Sequence, residues 1–217
     1  MMTPIEPRTQ SMGTGPAGDK RPQGPSPINV PNIITLSRLV LAVILFAMID
    51  YGQWWLWSTA LFIVAATTDA LDGYIARRYG LVTVLGRILD PFVDKVIICG
   101  AFIFLLGYSG SGINAWMTIV VIGREMFVTS LRSFLEQQGK DFSAAWSGKI
   151  KMALQCTAVA ASLMSLSTAF GPESAYGEQF RILRDVLLWS AVAATIYSGY
   201  SYIVRAIQLF RQPASPG

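Results

Sequence analysis

Residues 69–94 read DALDGYIARRYGLVTVLGRILDPFVD, and they place four aspartates inside two stretches otherwise apolar enough to cross a bilayer. An ionised carboxylate at mid-bilayer depth costs about 2.5–3.5 kcal/mol on insertion scales, so Asp69, Asp72, Asp90 and Asp94 need a compensating partner. A divalent cation is the obvious one. Asp69 and Asp72 are spaced i, i+3 and Asp90 and Asp94 i, i+4, and both spacings put the pair on one helical face. At about 100° per residue Gly73 falls about 40°, and Ala76 about 20°, from Asp69, so bulk is missing along that stripe where a ligand would lie. Gly86, Asp90 and Asp94 form a second line at i, i+4, i+8. RRYGLVTVLG between them reads as a turn, so the spacing predicts antiparallel neighbours with their acidic stripes at the same depth.

The chain around this segment is 53% hydrophobic and 14% charged over 217 residues. Its mean hydropathy is +0.46, whereas a soluble domain carries about 25% charged residues. The pattern predicts an all-α polytopic membrane protein with six transmembrane helices, at roughly 33–50, 54–76, 88–107, 113–135, 150–170 and 183–210. Residues 1–30 are rich in Pro and Gly without an apolar run. They read as a disordered tail and not as a cleavable signal, leaving 31–211 as one catalytic domain.

Orientation follows from Lys and Arg near the span ends. Arg8, Lys20, Arg21, Arg77, Arg78, Arg87, Lys140, Lys149, Lys151, Arg205 and Arg211 collect on one side; the other has Arg181 and Arg184 beside Glu173 and Glu178. Both termini and the aspartate turn are therefore expected on the cytoplasmic side. The same bias accounts for the net charge of +4 and the pI near 9.2 without nucleic acid, so an anionic lipid surface is the expected neighbour. Cys99 and Cys156 read as small core residues. Trp54, Trp55 and Trp57 read as a membrane-interface belt.

Oxygen-only ligands suit Mg2+ or Mn2+, and the absence of any histidine argues against zinc. Two such ions bridging phosphate oxygens are the usual partner of a carboxylate set like this one. Without histidine a general base must be a carboxylate, a lysine, a tyrosine or a bound hydroxide, and an aspartate not fully committed to metal is the best candidate. The opposing reading of a single Asp at a span end is a solvated or capping residue, but four with small residues between them reverse that balance. Pro91 reads as a kink that frees the carbonyl at 87.

The order D-x2-D-G-x2-A-R-x8-G-x3-D-x3-D, carried by Asp69, Asp72, Gly73, Ala76, Arg77, Gly86, Asp90 and Asp94, resembles the signature of the CDP-alcohol phosphotransferase family without a departure. The resemblance implies a six-helix membrane enzyme that displaces CMP from a CDP-linked lipid by an alcohol, using two divalent ions. It implies that Asp69, Asp72 and Asp90 hold the ions, with Asp94 at the same metal cluster as base. Asp72, Gly73, Ala76, Arg77 and Gly86 would line the site for the CDP-diacylglycerol head group. A homodimer in the bacterial inner membrane is the expected setting.

The acceptor alcohol is read from other segments. Asn32, Thr35 and Arg38 recur every three residues in PNIITLSR. They are caps and a snorkelling Arg on one reading, and borders of the nucleotide and acceptor sites on the other. GREMFVTSLRSFLEQQGK and SGKIKMALQ resemble the branch of the family whose acceptor is sn-glycerol 3-phosphate. A phosphorylated acceptor needs cations beside the metal site, and Arg38, Arg124, Arg132, Lys149 and Lys151 are the candidates. Lys149 and Lys151 point about 200° apart on a regular helix, so both reach one phosphate only if the helix starts between them. Arg132 also reads as a positive-inside anchor, and Glu125 as a local partner of Arg124 without a role. The expected reaction converts CDP-diacylglycerol and glycerol 3-phosphate to phosphatidylglycerophosphate and CMP. Its competitors are a sibling using inositol phosphate, serine or phosphatidylglycerol, and a cation transporter, against which stands the lack of repeats and of acids on the outer halves.

Overall fold

Among the described residues there are six α-helices: α1 Val30–Tyr51, α2 Trp55–Tyr79, α3 Val84–Leu105, α4 Ala115–Gln137, α5 Trp146–Ser165 and α6 Gly177–Arg211, with a short 3-10 turn at Ser109–Ser111. The structure, a computed structural model, describes residues 30–79, 84–138 and 146–211, and side chains within 36–68, 92–138 except 136, and 146–209 except 147. Among the described residues there is no strand, as the sequence predicts. The expected tail lies outside them, save for Val30, which opens α1.

Local chemistry sets the ends. Gly52, at φ +70°, follows α1 and its N–H donates to the Ile49 carbonyl at 3.0 Å, the left-handed stop that glycine adopts at low cost. Asn114 Oδ1 accepts from the Met117 N–H at 3.0 Å and caps α4. α6 begins at Gly177, well before the predicted 183, because the polar residues of its first turns are absorbed: Glu178 pairs with Arg181 at i, i+3 and Arg184 turns inward. α5 stops at Ser165, short of the predicted 170, where Ser165 Oγ donates to the Ser162 carbonyl and the chain turns. α3 runs unbroken through Pro91.

Paired side chains give the helix directions. Arg38 meets Asp94 and Phe46 stacks on Phe104, so α1 and α3 run the same way. Arg124 meets Ser198 and Arg132 meets Tyr202, so α4 and α6 do too. Gln155 meets Thr195 and Ser165 meets Arg184, so α5 and α6 run oppositely, in the most extensive pairing of the bundle. The result is an up-and-down arrangement with two distinct ends.

Its interior is built from small and hydroxylated residues as well as large ones. Ala42, Ala65, Ala101, Ala158, Ala191, Ser58, Ser162, Thr195 and Ser198 are all buried. Large apolar side chains such as Val43, Trp116, Ile119, Ile196 and Tyr197 face outward. Hydrocarbon solvent favours this distribution, since helices then gain by close backbone approach and interhelical hydrogen bonds and not by burying bulk. Among the described residues one helix, Gly177–Leu209, is long and apolar enough by itself to cross a membrane, and Trp55–Thr68 is a shorter apolar helix. Asp94 and Lys95 interrupt the apolar run of α3, and Arg124 and Glu125 that of α4.

At the end away from the aspartate motif, Arg184 is buried. Its Nη1 donates to the Gly110 carbonyl at 2.6 Å and its Nε and Nη2 to Asp185 Oδ1 at 2.9 and 2.7 Å. Gly112, at φ +76°, makes room: a Cβ there would lie 2.6 Å from the Arg184 Nε. Tyr108 Oη donates to the Ile49 carbonyl at 2.7 Å and ties this end of α1 to the chain beyond α3. The expected tryptophan belt needs one correction. Trp54 and Trp57 are exposed, but Trp55 packs edge-on to Tyr108 at 4.8 Å, because the helical phase of α2 turns it toward the core. Cys99 and Cys156 are not joined in a disulfide, and Cys156 packs against the core as expected.

Candidate active site

The aspartate motif lies on two touching helices. Asp69, Asp72, Gly73, Ala76 and Arg77 fall in the C-terminal part of α2, and Gly86, Asp90 and Asp94 in the first half of α3. Four residues separate Tyr79 from Val84, so the two halves of the motif flank one short connection. The side chains of Asp69, Asp72, Gly73, Ala76, Arg77, Gly86 and Asp90, and of Asn32 and Thr35 on α1, lie outside the described residues.

Asp94 anchors the described part of the site. It is half-buried, and one oxygen accepts from Arg38 Nη2 at 2.5 Å. Arg38 itself is 1% exposed, so it does not snorkel to a surface; α1 presents it inward against α3. A buried guanidinium with a carboxylate partner is the arrangement in which neither charge is stranded in a low-dielectric interior. Lys95, the next residue, lies within electrostatic reach of Asp94, Glu125 and Arg132.

That second half is a cluster on α4, α5 and α6. Glu125 is buried, and its Oε1 accepts from Arg124 Nη1 at 3.1 Å and from Lys151 Nζ, which reaches across from α5. Arg124 Nη2 donates to Ser198 Oγ on α6 at 2.5 Å. Beneath them Tyr202 is buried, with the Arg124 guanidinium 5.4 Å and the Arg132 guanidinium 5.9 Å from its ring centroid. Arg132 Nη2 donates to Tyr202 Oη at 3.1 Å. The cluster therefore holds Arg124, Arg132 and Lys151 against a single described acid, Glu125, and its surplus positive charge suits a phosphate dianion.

Of the predicted acceptor cations, Arg124, Arg132 and Lys151 come together and Arg38 joins Asp94, whereas Lys149 stands apart. α5 starts at Trp146, ahead of both lysines, so the helical phase separates them. Lys149 is exposed, its ammonium 4.8 Å over the Trp146 ring, while Lys151 is buried. Sequence reasoning missed Lys95, Ser198 and Tyr202, and left Glu125 without a role. A charged residue inside each of two otherwise apolar helices was the signal for Lys95 and Glu125; Ser198 and Tyr202 carry none that separates them from the other small and aromatic residues of α6.

The motif's donor set consists of carboxylate oxygens, with no histidine in the chain. It fits a hard divalent ion. Among the described residues no group of three possible metal ligands occurs, since the side chains of three of the four aspartates lie outside those described.

The signature on α2 and α3 and the all-helical architecture agree with a family model, described as CDP-alcohol phosphatidyltransferase, that matches residues 28–197. The chain belongs to the CDP-alcohol phosphatidyltransferase family. Within it, the chain is 37% identical over 192 residues to CDP-diacylglycerol--glycerol-3-phosphate 3-phosphatidyltransferase of Bacillus subtilis (strain 168), covering 80% of this chain and 93% of that one. It is 33% identical to the enzyme of the same name from Rickettsia bellii (strain RML369-C), over 80% and 93% of the two chains. It is also 32% identical to the probable phosphatidylglycerophosphate synthase of Mycobacterium tuberculosis (strain ATCC 25618 / H37Rv), over 83% and 82%.

Proposed function

We propose that this chain is an integral membrane enzyme that transfers the phosphatidyl group of CDP-diacylglycerol to sn-glycerol 3-phosphate, giving phosphatidylglycerophosphate and CMP. The observation that carries the reading is the placement of a surplus of cations, the buried Lys151 and the partly buried Arg124 and Arg132, at the same end of the bundle as Asp94. The names of the relatives support the same reaction.

All six α-helices span the membrane in this reading, with both termini and the site at the cytoplasmic face. The basic residues that gather at that end support it. The relatives compared are bacterial, which supports the plasma membrane of a bacterium as the location. Acyl chains then remain in hydrocarbon while the head group reaches the aspartates.

Asp69, Asp72, Asp90 and Asp94 would hold two Mg2+ or Mn2+ ions, which when bound neutralise the pyrophosphate and the charge growing on the departing CMP. Gly73, Ala76, Arg77 and Gly86, with Asn32 and Thr35 from α1, would line the cytidine diphosphate. Arg124, Arg132 and Lys151 hold the acceptor phosphate and so turn its hydroxyl toward the β-phosphorus. Asp94 takes the hydroxyl proton as the new P–O bond forms and the bond to the CMP oxygen breaks. Arg38 fixes the direction of the Asp94 carboxylate.

The test is an acceptor panel. Purified protein in mixed micelles with CDP-diacylglycerol and Mg2+ is given glycerol 3-phosphate, inositol phosphate, serine or phosphatidylglycerol in turn, and CMP release is measured. Release with glycerol 3-phosphate alone supports the reading, and release with another acceptor in its place overturns it.

A further inference from the structure

Glu125 stands at a junction that the reaction as written does not use. It is a buried acid, 9% exposed, beside Arg124 on α4. A neighbouring pair of opposite charges on a helix points to different faces, so their contact is made by bending the side chains toward each other. Lys151, 5% exposed on α5, brings its ammonium to the same Glu125 oxygen that Arg124 Nη1 reaches at 3.1 Å. One carboxylate oxygen therefore draws together two cations from two helices.

The rest of Arg124 is fixed from α6. Its Nη2 donates to Ser198 Oγ at 2.5 Å, and its Cγ passes Gly199 so closely that a Cβ there would lie 3.4 Å away. The Tyr202 ring lies 5.4 Å from its guanidinium carbon. Ser198, Gly199 and Tyr202 share the same end of α6, so the guanidinium is bounded on that side and held by Glu125 on another. Without an acid between them Arg124 and Lys151 would repel in a medium where charges are poorly screened, and each would turn to a separate partner.

We propose that Glu125 is a positioning residue for acceptor specificity: it holds Arg124 and Lys151 at the mutual spacing that one phosphomonoester dianion spans. The proposal rests on the reading that these two cations bind the acceptor phosphate. Glu125 acts through Arg124 and Lys151 and not on the reacting atoms. It also makes a prediction opposite to that of simple charge counting. If the acid only subtracted charge from the site, its removal would tighten phosphate binding; if it sets the spacing, its removal loosens it.

The experiment measures CMP release against glycerol 3-phosphate and against CDP-diacylglycerol for the wild type, Glu125→Gln, Glu125→Asp, Arg124→Ala and Lys151→Ala. Glu125→Gln is expected to raise the KM for glycerol 3-phosphate about tenfold or more, the loss of charge-assisted contacts, with the KM for CDP-diacylglycerol within about twofold. Glu125→Asp, which keeps the charge on a shorter arm, is expected to fall between Gln and wild type. An unchanged or lowered KM for glycerol 3-phosphate in Glu125→Gln, with Arg124→Ala and Lys151→Ala both raising it, overturns the positioning role and leaves the acceptor site standing. No change in that KM for either cation variant overturns the acceptor site itself. If Glu125→Gln cannot be purified folded, Glu125→Asp decides: a wild-type KM overturns the proposal and a selective rise supports it.

Discussion

Gly100 on α3 is where the packing that aligns Arg38 with Asp94 is tightest. A Cβ at this position would lie 2.2, 2.7 and 2.8 Å from the Cζ, Cε1 and Cε2 atoms of Phe46 on α1. Carbon atoms in ordinary contact sit about 3.5–4.0 Å apart, so Gly100→Ala forces the ring or the helix to give by more than about 1 Å. Phe46 stacks on Phe104, centroids 5.0 Å apart and planes within 7°. If the ring moves, the stack is lost, at about 0.5–1.5 kcal/mol. If α1 moves away from α3, the cost is that of overpacking, about 1–3 kcal/mol. Gly100→Ala therefore lowers stability by about 0.5–3 kcal/mol, the lower part of the range if the ring moves and the upper if the helix does. The second route also pulls Arg38 off Asp94 and lowers kcat. Adding Phe46→Ala removes the obstructing ring, so the double variant is more stable than the sum of the two single effects by about 1 kcal/mol or more. Denaturant unfolding in mixed micelles, followed by tryptophan fluorescence, measures all three. Strict additivity, or a Gly100→Ala protein as stable as the wild type, refutes the packing argument.

Two further perturbations separate the ends of the bundle. Tyr202→Phe removes the hydroxyl that Arg132 reaches at 3.1 Å but keeps the ring under both guanidiniums. The KM for glycerol 3-phosphate should rise about fivefold, a hydrogen bond's worth, and rise further in Tyr202→Leu, which also removes the cation–π contact. Equal kinetics for the two variants would show that the ring carries nothing. Arg184→Met removes the charged donor to the Gly110 carbonyl at the far end, leaving it Ser165 Oγ at 3.0 Å, and should cost about 1–3 kcal/mol of unfolding free energy, the worth of a hydrogen bond from a charged group, leaving both KM values unchanged. A shift in either KM would mean that the ends are coupled.

The helices that carry the aspartate motif were legible in the sequence because the motif is local: spacing within Asp69–Ala76 and Gly86–Asp94 fixes which residues share a face, whatever surrounds them. Six apolar stretches likewise became six α-helices. Arg38 was legible as an inward residue since it lies too deep in α1 to be a cap. What stayed hidden depended on partners far along the chain or on helical phase. Glu125 reads as Arg124's neighbour, and nothing in the sequence says that Lys151, 26 residues on, arrives at the same oxygen. The split between Lys149 and Lys151 was foreseen as conditional on where α5 begins, and its start at Trp146 decides it. Arg184 reads in the sequence as a charge at a span end beside Glu173 and Glu178, and nothing there shows that the 3-10 turn at Ser109–Ser111 supplies a carbonyl for it. Trp55 differs from Trp57 by its angle on α2, and Trp54 precedes that helix.

In the proposed reaction Asp94 accepts the proton of the attacking hydroxyl while its neighbours bind the CDP-linked lipid. Asp94→Asn keeps the size of the side chain and a carbonyl oxygen for Arg38, but it removes the base. The direct measurement is turnover to phosphatidylglycerophosphate and CMP by this variant at saturating Mg2+, alongside CDP-diacylglycerol binding by equilibrium titration. A loss of turnover by about 100-fold or more with lipid nucleotide binding retained is the predicted result. Turnover within a few-fold of the wild type would contradict the claim.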